Sequence, residues 1–91
     1  MSEKSEKHDK DLEITIETPK GSWKDATFQK TAKISEVITA VIGHFGFSKE
    51  GKYQLVLKNE PNKPLDPNRT LVSYGIKDGD VLVFVDLGVA V

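Results

Sequence analysis

Leu12, Ile14 and Ile16 alternate with Glu13, Thr15 and Glu17, the period of two that sets one side of a strand against a core and the other in water. Turn formers follow in Thr18-Pro19-Lys20-Gly21-Ser22, and Trp23 to Lys30 resumes as a second strand with Ala26 and Phe28 on one side. Two strands around a short Gly-containing turn predict an antiparallel hairpin. Counting back from Ala26 sends Lys24 inward and Trp23 outward. Either Lys24 reaches the rim along its aliphatic stem or a bulge shifts the register, and the sequence leaves both open.

From Lys33 to about Phe45 the period changes. Ile34, Val37, Ile38, Val41, Ile42 and Phe45 recur at spacings of three and four, which predicts an amphipathic helix. Its interior is rich in β-branched residues, so packing on a sheet has to hold it. Lys33 stands where an N-cap acceptor would help most, Glu36 suits the positive end of the helix dipole, and Gly46 suits the position just past the end. Tyr53-Gln54-Leu55-Val56-Leu57 reads as a third strand with Tyr53, Leu55 and Leu57 inward. Residues 59–64, with two prolines and two asparagines, read as a loop. Leu65, Leu71 and Ile76, isolated among turn formers, predict an irregular connection pinned to the core at three points. Asp78-Gly79-Asp80 then turns the chain into Val81 to Val85, an apolar run suited to the middle of a sheet.

This last region carries a family resemblance. The pattern Leu65-x-x-x-Arg69-Thr70-Leu71-x-x-Tyr74-x-Ile76-x-x-Gly79-x-x-Leu82-x-Phe84-Val85 resembles the C-terminal third of ubiquitin and its ubiquitin-like relatives, and the likeness extends more weakly over Leu12 to Leu87. The resemblance implies an α+β, β-grasp fold: a mixed sheet of four to five strands packed on one helix. It also implies a protein that acts as a modifier or as a protein-binding module. The expected organisation is a charged, disordered tail over 1–11, a ubiquitin-like domain over 12–88 and a short tail over 89–91.

Composition narrows the chemistry. Ninety-one residues make one small domain. Thirteen Lys and Arg against fourteen Asp and Glu leave a net charge of −1, with no global field to recruit nucleic acid or an anionic membrane. There is no cysteine, so disulfides, thiolate chemistry and cysteine metal sites are excluded. His8 and His44 have no second ligand at metal spacing, the serines carry no nucleophile signature, and no glycine run matches a phosphate loop. No enzyme, no cofactor and no metal are therefore expected. Neither a signal peptide nor an apolar run near the ~20 residues that span a bilayer is visible, so a cytoplasmic monomer without a membrane span is expected.

What remains is surface. With Leu82 and Phe84 toward the helix, alternation sends Val81, Val83 and Val85 to the opposite side, where Val56 joins them in an apolar stripe with no element left to cover it. A protein partner on Val56, Val83 and Val85 is the expectation; Trp23 either extends the site or packs on the N-terminal tail, and the sequence leaves both open. The resemblance agrees, since Val56 and Val85 match ubiquitin's main apolar recognition surface and Pro19 lies in the flanking hairpin turn. It fails at the end of the chain, where Asp86-Leu87-Gly88-Val89-Ala90-Val91 stands in place of a terminal Gly-Gly. A modifier, handled by an E1-like activating enzyme, would have to expose Gly88 by losing the last three residues. The leading expectation is a non-catalytic interaction module; the alternative is a modifier activated at Gly88.

Overall fold

The alternating run becomes β1 (Asp11–Thr18) in the computed structural model, which describes residues 11–89, and Leu12, Ile14 and Ile16 enter the core. The remaining residues, 1–10 and 90–91, hold most of the two expected tails and lie outside the described residues. The Thr18 hydroxyl closes the following turn, donating to the Gly21 carbonyl at 2.7 Å and accepting the Lys20 N–H at 3.0 Å. β2 (Gly21–Gln29) returns antiparallel and pairs Leu12 with Phe28, Ile14 with Ala26 and then Ile16 with Trp23. One residue separates the last two partners on β1 but two separate them on β2, which makes a β-bulge, and Asp25 within it takes a φ of 60°. Of the two registers the sequence left open, the bulge is realised. It turns Trp23 to the helix side of the sheet, opposite the buried Ile16, which corrects the expectation that Trp23 faces outward.

α1 (Ile34–Phe45) buries Ile34, Val37 and Val41 against the sheet. Lys33 makes no side-chain cap, and the first amides are satisfied from elsewhere. Ile34 N–H donates to the Arg69 carbonyl at 2.8 Å and Ser35 N–H to the Pro67 carbonyl at 3.0 Å, while the Glu36 carboxylate accepts the Lys33 N–H at 3.4 Å. At the other end Gly46, with φ 76°, donates to the Ile42 carbonyl at 2.8 Å and ends the helix as its position suggests. The chain then buries Phe47, a core residue that the helical period does not announce.

β3 (Gly51–Leu57) is followed by a second correction. Residues 59–64 are not all loop: β4 (Glu60–Pro64) pairs antiparallel with β3 through Leu57↔Glu60 and Val56↔Pro64. β4 is the edge of the sheet, so a proline that cannot donate to a ladder costs little there. The connection that follows is pinned as expected by buried Leu65, Leu71 and Ile76, around one 3₁₀ turn at Val72–Tyr74. Here the family pattern has a structural use. The Arg69 guanidinium lies 4.2 Å from the Tyr74 ring centre and donates to the Ser73 carbonyl at 3.0 Å, and the Tyr74 hydroxyl oxygen accepts the Asp66 N–H at 2.7 Å.

β5 (Val81–Val89) enters between the hairpins, parallel to β1 and antiparallel to β3, giving the order β2-β1-β5-β3-β4. The five-stranded mixed sheet with one helix is the β-grasp architecture. β1 opens at Asp11, and β5 runs to Val89, four residues past Val85, where the apolar run of the sequence ends.

Candidate protein-binding face

Leu82 and Phe84 of β5 are buried on the helix side of the sheet, so Val81, Val83, Val85 and Leu87 point the other way. The three valines are half-buried and Leu87 is 55% exposed. Leu87 belongs to the stripe although sequence reading ended it at Val85; carrying the alternation two residues further would have found it. Val56 has the expected orientation, opposite Val83 in the β3–β5 ladder, but it is only 1% exposed. That corrects the expectation of an open Val56. Its other neighbour in register is Pro64, because β4 occupies the place that a loop would have left free.

The rest of the face is built around β5. Glu17 of β1 and Lys58, the residue just after β3, meet at 3.0 Å, so their ion pair crosses β5 beside Val81 and Val83. Next to it, Glu17, Thr18 and exposed Pro19 join Val83, Phe84, Val85 and Asp86 around a shallow depression of about 450 Å³. Pro19, Val83 and Val85 are thus brought together, Val56 lies beneath the surface, and Trp23 is on the opposite side.

Trp23 has a different task. Its indole stacks on the His44 ring at 4.0 Å and 5°, and meets Phe28 edge-on at 5.8 Å, so it ties β2 to the last turn of α1. An aromatic row continues beyond it through Phe45, Phe47, Tyr53 and Phe84, with the Lys20 ammonium 4.8 Å from the Phe47 ring centre. The Tyr53 hydroxyl donates to the Ser48 carbonyl at 2.7 Å; desolvation, and then the charge of Asp86, raise its pKa above the ordinary tyrosine value. Gly88 lies inside β5 at φ 87°, and its N–H donates to the Asp86 carboxylate at 2.8 Å. Among the described residues no three His, Asp or Glu converge as a metal site would require, and no helix is long and apolar enough to cross a membrane.

Comparison with known proteins decides the family. The family model described as "WXG100 protein secretion system (Wss), protein YukD" matches residues 12–84, nearly the whole described sheet and helix. The chain belongs to the YukD family. No curated protein sequence matches this YukD-family chain significantly. Its fold is shared with solved ubiquitin-like structures. A designed protein based on ubiquitin is 21% identical with a TM-score of 0.74, covering 91% of this chain and 96% of that one. The ubiquitin-like domain of an Arabidopsis thaliana protein, solved by NMR, is 17% identical with a TM-score of 0.73 and covers 98% and 90%. ATBAG1, in a crystal structure with HSP70, is 19% identical with a TM-score of 0.68, covering 82% of this chain and 40% of its own. At these identities the likeness shows the fold, and the YukD match supplies the family.

Proposed function

We propose that this chain is a non-catalytic protein-interaction module of a WXG100 protein secretion system, and that it presents the outer face of its sheet to a protein component of that system. The observation that carries this reading is the depression in which Pro19, Val83 and Val85 meet, continued by the exposed Leu87. A small domain with aligned apolar side chains on its central strand, beside a rigid turn, offers a partner a preformed contact. Val56 supports the face from below and Trp23 plays no part in it. ATBAG1, which shares the fold, is seen with a protein partner, HSP70, and this agrees with a binding role.

Conjugation through Gly88 has weaker support. A C-terminus that must thread an activating enzyme needs to be free of the body, and here Gly88 is held by Asp86 while Val89 pairs with Gly51. Intact mass of the protein from its source cell separates the readings: a modifier would lose Val89, Ala90 and Val91 or appear as an adduct on another protein.

The direct test is the double variant Val83→Thr, Val85→Thr. Its circular dichroism and unfolding midpoint should stay near wild type, and it should no longer capture WXG100 secretion components from source-cell extract. A folded double variant that still captures them would place the site elsewhere on the molecule.

A further inference from the structure

β1 and β5 run side by side only from Thr15↔Val81 to Glu17↔Val83. There β1 turns off through Pro19, whereas β5 continues to Val89, paired regularly with β3 as far as Tyr53↔Asp86 and, after a bulge that holds Gly88 at φ 87°, again at Gly51↔Val89. The second half of β5 is therefore laddered on one side alone. The direction of its backbone groups follows from two bonds. Thr15 N–H donates to the Asp80 carbonyl at 3.0 Å, and Lys58 N–H donates to the Val81 carbonyl at 3.2 Å. Even-numbered residues thus aim their N–H and C=O toward the β1 side, and odd-numbered ones toward β3. Beyond the end of the β1 ladder, the Phe84 carbonyl and both backbone groups of Asp86 point to that open side. The depression at Pro19 lies at this step in the sheet. Outward Val83 and Val85 and inward Phe84 and Asp86 all line it, as happens where a strand has no lateral neighbour.

The side chains around this edge state what would fit. On the outer face it is flanked by Val85 and Leu87, both apolar. On the helix side it carries the Asp86 carboxylate, whose hydrogen bond is with the Gly88 N–H. The ion pairs among the described residues are Lys58–Glu17 and Lys63–Glu60, so no cation of the described chain neutralises Asp86. We propose that residues 84–86 are a strand-addition site for an extended segment of a partner protein, in which a Lys or Arg flanked by aliphatic residues lies opposite Asp86. The basic side chain then falls beside the carboxylate, and the aliphatic ones fall on the outer face beside Val85 and Leu87. A second copy of the chain is a poorer occupant, because antiparallel pairing centred on this edge sets Asp86 against Asp86. One carboxylate both admits a basic segment and rejects self-pairing. The inference rests on the outer-face reading and specifies the form that the partner takes there.

The test uses the full chain, labelled with ¹⁵N, and a capped peptide, acetyl-Thr-Val-Lys-Val-Thr-amide, as the probe. Controls replace the peptide lysine with glutamate, or methylate the three central peptide nitrogens. Addition of the lysine peptide should shift the Asp86 amide resonance and slow its exchange with solvent. The glutamate peptide should bind roughly five- to tenfold more weakly, the range expected when an exposed attraction becomes a repulsion. The methylated peptide should not protect the amide at all. In Asp86→Lys the order of the lysine and glutamate peptides should reverse, and Asp86→Asn, which keeps an acceptor for the Gly88 N–H, should discriminate little between them. The proposal is overturned if the Asp86 amide does not respond or if the methylated peptide binds equally well. It is also overturned if the amide is protected by self-association, or is already protected and becomes free on deletion of residues 1–10. Shifts confined to Val83 and Val85, with Asp86 silent, would refute strand addition and leave the outer-face reading intact; continued capture by the folded double valine variant would refute that reading separately.

Discussion

Val56 and Val83 are the same residue type, face the same way and sit opposite each other in one ladder, yet one is buried and the other half-open. Alternation tells which side of a sheet a residue takes. Exposure also depends on the strands to left and right, and these are set by pairings that a single strand's sequence does not encode. The side assignments of Val83, Leu82, Val85 and Phe84 were legible for that reason, and the depth of Val56 was not. The contrast can be measured in denaturant melts. Val83→Thr or Val85→Thr should cost about 1 kcal/mol or less, whereas the same change at Leu82 or Phe84 should cost roughly 2–5 kcal/mol. A second residue-scale expectation concerns Tyr53. Its raised pKa means that the folded chain keeps a proton which the unfolded chain gives up at lower pH. The contribution is whole below about pH 10, the ordinary tyrosine value, and is lost as the pH rises through the higher folded value. The stability difference between wild type and Tyr53→Phe, measured from pH 8 to 11, should therefore hold steady and then shrink in favour of the variant.

The elements show a similar division. Period two at Leu12 to Glu17 and period near 3.6 at Ile34 to Phe45 were sufficient to place β1 and α1, and Gly46 to end the helix. The bulge in β2 was not decidable, since it depends on one non-glycine residue, Asp25, accepting a left-handed conformation so that Trp23 can reach His44. β4 was missed because its prolines read as breakers, and only its place at the sheet edge makes them harmless. The helix start was unreadable in a different sense: its acceptors are the carbonyls of Pro67 and Arg69, more than thirty positions downstream. The relocation of Trp23 makes a prediction. Trp23→Ala should lower stability by about 2–3 kcal/mol in urea melts, below the cost at a fully buried tryptophan because the ring is only half-buried. Capture of the partner, measured under conditions where the variant is folded, should be unchanged.

At the scale of the molecule, one core joins both hairpins and the helix through β5, so unfolding should be a single transition. Fluorescence of the lone tryptophan and far-ultraviolet circular dichroism should give the same midpoint, and EDTA should not move it. The position of β5 has a further consequence. β1–β2 and β3–β4 close through turns between neighbouring strands, but each hairpin exposes an edge until the final strand of the domain slides between them. The contact between the Glu13 N–H and the Asp78 carboxylate, which locks that strand's entry turn, joins residues 65 positions apart. On the ribosome, then, both halves of the sheet emerge before the piece that unites them, and the native state must wait for nearly all of the domain to be synthesised. Closure over such distances is slow compared with hairpin formation, so a nascent chain halted before Val81 would carry two incomplete sheets with open edges and a helix without its full bed.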